Sequence, residues 1–147
     1  MEELIDLRQA IEQQRYGDAI TLLGEMEGMS REDKIEKIDS FLIILLLHLI
    51  KQDAEKRTTR SWDASIRESA RRISRINKRR KSGSFYLSVD ELTESIEEAF
   101  PSALTQASLE AFEGQYLAEQ LATKINKAAI QQKALELISG EYDYQNN

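Results

Sequence analysis

Cysteine is absent from this 147-residue chain. That excludes disulfides, thiolate metal sites and cysteine nucleophiles together. Proline occurs once, at Pro101, and glycine six times. So few breakers allow long helices. Histidine also occurs once, as His48, so any chemistry that pairs two imidazoles is excluded. No apolar run is long enough to cross a bilayer. The longest, Phe41 to Ile50, reads FLIILLLHLI. A spanning helix needs roughly 20 apolar residues for about 30 Å of hydrocarbon, and this run rises only about 15 Å as a helix. It predicts a buried core helix and no membrane association. The opening MEELIDLRQAIEQQ has neither a basic n-region nor an apolar h-region, so no secretory signal is expected there. A cytoplasmic setting fits both that and the missing cysteine.

What remains is a helical pattern. The chain is 41% hydrophobic and 31% charged, and its length suits one domain with a core of its own. Leu4, Leu7, Ala10 and Ile11 space a first helix over Glu3–Gln14. Ala19, Leu22, Leu23 and Met26 space a short second one, with Asp18 as its cap. A third starts at Ser30 and carries Ile35, Ile38, Leu42, Leu45 and Leu49. After Phe41 it is apolar all round, which predicts burial on every side. Nine buried aliphatic groups there are worth on the order of 15–25 kcal/mol gross, at about 1.5–3 kcal/mol each. A fourth helix is expected from Ser61, through a basic last turn at Lys78–Lys81, to Ser82-Gly83-Ser84. Ser88 and Glu91 form a capping box and Leu87 and Leu92 a hydrophobic staple, so a fifth helix starts there and is expected to stop at Pro101. A short segment with Leu104, Leu109 and Phe112 follows. Gln115–Ser139 reads as one long final helix stopped by Gly140, with a frayed tail. No strand pattern competes. The expected fold is all-α, a compact bundle of five or six helices around the Leu/Ile-rich helix. Residues 1–113 form the core domain. Residues 114–147 pack on it or serve self-association.

Charge is unevenly placed. Eleven of the twenty Lys and Arg residues lie between Lys56 and Lys81, against Asp63 and Glu68. That is 11 − 2 = +9 in one segment and 9 − 24 = −15 in the rest. On a helix, Trp62, Ile66, Ala70 and Ile73 share one face. Arg60, Arg67, Arg71, Arg75 and Lys78 share another, and Arg79 continues it.

Three stretches carry a family resemblance: LLGEMEGMSREDKIEKIDSFLIILLLHLIK, TRSW and SIRESARRISRI. Glu25, Ser30, Leu42, Leu45, His48, Leu49, Lys51, Arg60, Ser61, Trp62, Ser65, Ile66 and Arg72 sit at the matching positions. The pattern resembles the family called domain of unknown function twenty-nine, best represented in cyanobacteria, over about Leu4 to Phe112. Gln52 stands where that family often has Trp, and the helix after Gly114 has no placed counterpart. The resemblance implies an all-helical fold and a bacterial cytoplasmic setting. It implies no activity.

Candidate chemistry is sparse. His48 lies in the most apolar run and has no neighbouring nucleophile or carboxylate in sequence, so it reads as a buried histidine bonded to the next helix. Arg60-Ser61-Trp62 could hold an anion at a helix N-terminus, but a cap with Trp62 as a core anchor is the favoured reading. Glu25, Glu27, Glu32, Asp33, Glu36 and Asp39, with Glu94, Glu97 and Glu98, are numerous. The Glu-x-x-His motif of helical carboxylate metal sites is missing, so neither a metal nor a cofactor is expected. No phosphate loop or serine-nucleophile motif occurs, and no catalytic residue is assigned. The basic helix has three readings: binding to an acidic protein surface, which includes a second copy of the chain in a homodimer; neutralisation of the chain's own acidic helices; or nucleic-acid binding, as in a helical toxin or antitoxin. An acidic chain with pI near 5 disfavours the last. The expectation is a non-catalytic interaction module working through Arg60, Arg67, Arg71, Arg75, Lys78 and Arg79.

Overall fold

A computed structural model describes residues 2–16, 18, 31–78 and 85–146. Among the described residues there are six α-helices and one 3-10 turn, with no strand. The helices are α1 (Glu2–Glu12), α2 (Arg31–Glu55), α3 (Arg60–Asn77), α4 (Val89–Glu110), α5 (Ala118–Ala122) and α6 (Lys127–Asn146). The all-α expectation holds. The expected second helix, its Asp18-led start apart, and the Ser30 cap lie outside the described residues.

Contacts divide the chain into two units, Met1–Ile35 and Glu36–Asn147. The first contains α1, with an Arg8–Glu12 ion pair along it and an Arg15–Asp18 pair beyond its end, both at 3.2 Å. The second holds the core. Ile38, Leu42, Leu45, Leu46 and Ile50 of α2 are fully buried, which is what the 3–4 spacing of its aliphatic residues dictates. Burial is not complete around the helix, as the apolar run suggested. Ile44 remains 38% exposed. Ile66, Ala70 and Ile73 of α3 are buried, as are Ile96, Phe100, Ala103 and Ala107 of α4 and Ile130, Ala134 and Ile138 of α6. The last helix packs on both α3 and α4.

In the C-terminal half three helix boundaries differ from their sequence signals. Pro101 lies inside α4, which runs on to Glu110. An interior proline costs about 3 kcal/mol. The continued burial of Ala103 and Ala107 beyond it offsets that cost. Gly140 lies inside α6 and does not end it. The expected single C-terminal helix is two helices, because Asn126 restarts it. The Asn126 side chain accepts the Ala129 N–H at 3.1 Å, and its own N–H donates to Asp53 Oδ2 at 2.8 Å. By contrast, the Ser88/Glu91 capping box stands as expected, and Leu87 and Leu92 are both buried.

Candidate functional site

The basic helix α3 begins one step earlier than Ser61 suggests. Thr59 is the N-cap, and its hydroxyl accepts the Trp62 N–H at 3.1 Å. Ser61 falls within the first turn. Asp63, also in the first turn, accepts bonds from Thr58 Oγ1 at 2.8 Å and from Gln52 Nε2 at 3.1 Å. Gln52 thereby ties the start of α3 to the end of α2. At the other end the helix stops at Asn77, so Lys78 is not part of a basic last turn. Lys78 bridges to Phe85 instead. Arg79 lies outside the described residues.

Along α3 the two faces separate cleanly. Ile66, Ser69, Ala70, Ile73, Ser74 and Asn77 are buried, while Arg60, Arg67, Arg71, Arg72 and Arg75 are exposed. Arg72 Nε meets Glu68 Oε1 at 2.8 Å, and Arg71 stands 3.7 Å from Glu68 Oε2. The bond from Arg72, helped by the charges of Arg72, Arg71 and Arg75, holds the Glu68 carboxyl below the ordinary carboxylate range. Among the described residues, Arg60, Arg67 and Arg75 make no ion pair.

A second constellation escaped the sequence reading. A cleft of about 410 Å³ is lined by Lys51, Glu55, Arg57, Trp62, Glu110, Phe112, Glu113 and Gln115. Lys51 is only 6% exposed. Its ammonium meets Glu110 Oε1 at 3.0 Å and lies 4.6 Å from the centre of the Trp62 ring. A desolvated cation over an aromatic face is worth about 2 kcal/mol. Arg57 sits 4.7 Å from the same ring and meets Glu55 Oε1 at 3.0 Å. The other Glu55 oxygen accepts the Phe112 N–H at 3.3 Å. Trp62 is thus a half-buried platform for two cations rather than a core anchor.

That last bond holds an unusual turn. Phe112 (φ 51°), Glu113 (φ 56°) and Gly114 (φ 77°) are left-handed in succession. Each non-glycine residue in that conformation costs about 1–2 kcal/mol. At Gly114 a Cβ would stand 3.1 Å from the Leu109 carbonyl oxygen. The turn ends α4 and is clamped to the end of α2 by Glu55–Phe112 and Lys51–Glu110. Two cations face three carboxylates here, and four of the five charges satisfy one another in pairs. Chemically the cleft is a charge-locked joint. Its sequence signal was Lys51 itself, a lone cation at the helical spacing of buried Leu47 and Ala54, which needs a buried partner.

The remaining candidates are placed as follows. His48 is half-buried, and its Nδ1 donates to the Ile44 carbonyl of its own helix at 2.8 Å, not to the next helix. Asp39 of α2 is half-buried beside Glu36 and Glu98. Burial first, then the charges of Glu98 and Glu36, push its carboxyl up. Among the described residues no cation pairs with any of these three. Glu97 does have partners, Lys127 at 2.9 Å and Gln131 at 2.6 Å. No group of three or more His, Asp or Glu side chains that could hold a metal occurs among the described residues. None of their helices is long and apolar enough to cross a membrane.

No curated protein and no solved structure matches the chain. A family model does, and its match runs into the last helix rather than stopping near Phe112. It is the model of Domain of unknown function DUF29, it covers residues 4–142, and the chain belongs to that family.

Proposed function

We propose that the protein is a non-catalytic cytoplasmic interaction module, and that the arginine face of α3 is its docking surface for an acidic protein partner. One observation carries this reading. Five guanidinium groups are exposed on α3. The only carboxylate within ion-pair distance of any of them, among the described residues, is Glu68 on the same helix. Neutralisation by the chain's own acidic helices would require a carboxylate from another helix at that face. An exposed intrahelical pair is worth only about 0.3–0.5 kcal/mol, so Arg71 and Arg72 remain available to a partner. Arg67, Arg71 and Arg75 recur every fourth residue, about 6 Å apart along the axis, and form a row that carboxylates on a facing helix can match.

The same row would suit a phosphate backbone, and nucleic-acid binding is the second reading. The two separate in one titration of wild type and Arg67→Glu/Arg71→Glu/Arg75→Glu against poly-L-glutamate and duplex DNA. The acidic-protein reading expects poly-L-glutamate to bind wild type and not the variant, with no DNA binding at physiological salt. DNA binding whose log K falls against log salt with a slope near −3, about −0.9 per phosphate contacted, would replace it with the second reading. Equal binding of the probes by wild type and variant would overturn both.

A further inference from the structure

We infer that the partner of the arginine face is a second copy of this chain, which presents Glu36, Asp39 and Glu98 to Arg67, Arg71 and Arg75 in a head-to-tail contact. The inference rests on the reading of the arginine face given above and names its occupant.

Charge complementarity carries it, from two sides. The arginine face has four guanidinium groups, Arg67, Arg71, Arg72 and Arg75, against the single carboxylate of Glu68, so 4 − 1 = +3 on one exposed surface. The complementary ridge joins α2 and α4. Glu36 and Asp39 lie three residues apart on α2, close to one turn, and Glu98 of α4 is near enough to act on Asp39. Glu36 and Glu98 are exposed. Among the described residues none of the three has a cationic partner. Burial first, and then the charges of Glu98 and Glu36, disfavour ionised Asp39, and a guanidinium brought to the ridge would relieve the charge part of that cost. Each surface lacks what the other supplies, and every copy carries both.

In the head-to-tail arrangement the two patches, which lie on one unit, give a heterologous contact. One copy's arginine face covers the next copy's ridge and leaves one free patch at each end. Such contacts close into a ring or continue as a chain. Their attraction acts over about 10 Å at 0.1 M salt and is screened above that.

The test uses the full chain in sedimentation velocity at low salt. The variants are Arg71→Glu/Arg75→Glu, which keeps the ridge, and Glu36→Lys/Glu98→Lys, which keeps the arginine face. Wild type is expected to associate with rising concentration, at least about tenfold more weakly at physiological salt. Each variant alone is expected to be monomeric. A mixture of the neutral variants Arg71→Gln/Arg75→Gln and Glu36→Gln/Glu98→Gln is expected to form a dimer and nothing larger, because each supplies the one patch that the other lacks. All four substituted side chains are exposed, and circular dichroism checks folding. Should a charge reversal disturb the fold, Arg71→Gln/Arg75→Gln and Glu36→Gln/Glu98→Gln replace it, with loss of association as the readout. A wild type that stays monomeric yet binds poly-L-glutamate through the arginines overturns the second copy and leaves the surface reading standing. A wild type that is monomeric and does not bind poly-L-glutamate overturns both. Association that persists in either variant alone overturns the head-to-tail arrangement.

Discussion

Asn77 closes α3 from the inside, and its replacement is the most searching test of how the fold is held. The residue is 1% exposed. Its Nδ2 donates to the Leu87 carbonyl at 3.1 Å, and its Oδ1 accepts the Leu87 N–H at 2.8 Å. Leu87 is itself buried, at 6% exposure, so the side-chain amide satisfies both main-chain groups of a residue that water does not reach. The main chain adds Tyr86 N–H to the Asn77 carbonyl at 2.9 Å. Asn77→Ala orphans the donor and the acceptor of Leu87. Each costs about 1–3 kcal/mol, so the loss is about 2–6 kcal/mol, or about 5–20 °C in Tm. Asn77→Asp keeps the volume and the bond from the Leu87 N–H, but an ionised carboxylate would face the Leu87 carbonyl. Burial and that carbonyl raise the folded-state pKa of the new acid above its unfolded value near 4. A raised carboxyl pKa means that stability is complete while the group is protonated and is lost as pH rises from about 4 towards the folded pKa, at up to about 1.4 kcal/mol per pH unit. Asn77→Asp is therefore expected to approach wild type at pH 4 and to fall well below it at pH 7. Urea melts followed by Trp62, the chain's one tryptophan, measure both variants. A loss below about 0.5 kcal/mol in Asn77→Ala, or an Asn77→Asp deficit that does not change between the two pH values, would refute the reasoning.

Three smaller predictions follow from other boundaries and charges. Thr59→Ala removes the observed cap and is expected to cost about 1 kcal/mol, whereas Ser61→Ala, inside the first turn, stays within about 0.5 kcal/mol; the reverse order in thermal melts would restore Ser61 as the cap. Gly140 is helical and a Cβ there meets nothing within 4 Å, so Gly140→Ala should stabilise by about 0.5–1 kcal/mol, and a loss in the same melts would contradict it. Ionised Asp39 is disfavoured by burial and by Glu98 and Glu36. Its raised carboxyl pKa makes the ionised form a cost above its unfolded pKa, so Asp39→Asn should be more stable than wild type at neutral pH, with the gain vanishing towards pH 3. A gain that persists in acid would point to packing instead of charge.

What the sequence revealed depended on how far apart the cooperating residues lie. The capping box at Ser88 and Glu91 spans four residues and needs nothing else, and it was readable. So was the buried stripe of α2, because one helix repeats its own pattern. Pro101 and Gly140 are strong local stop signals, but tertiary burial on either side of Pro101 outweighs the first, and an exposed helical glycine costs too little to end α6. The Trp62 joint carried a signal only in Lys51, whose partners were not readable. Its bonds pair Lys51 with Glu110 and Glu55 with Phe112, 59 and 57 residues apart, and the left-handed turn that they hold follows from that closure rather than from Phe112 or Glu113 themselves. Nor could Asn126 announce itself as the restart of the last helix, since its N–H is met by Asp53, 73 residues away.

The same distinction divides the basic segment, which composition presents as one block. At its N-terminal end Lys56 meets Asp53 at 3.4 Å and Arg57 meets Glu55 at 3.0 Å. These two cations belong to the joint between α2 and α3, and Arg57 also covers Trp62. Further along α3, the only carboxylate within ion-pair distance of Arg67, Arg71, Arg72 or Arg75, among the described residues, is Glu68. A helix that buries Ile66, Ala70 and Ile73 against its own fold must send residues 67, 71 and 75 outward, since these sit on the other side of a 3.6-residue turn. The arginine face is thus a geometric consequence of the core. That no carboxylate from another helix meets it, among the described residues, is a separate fact, because Glu97 shows that this fold can bring a carboxylate of α4 to Lys127 of α6. Among the described residues the segment's charge therefore divides into a part that locks a joint, at Lys56 and Arg57, and a part on α3 that no carboxylate of another helix meets.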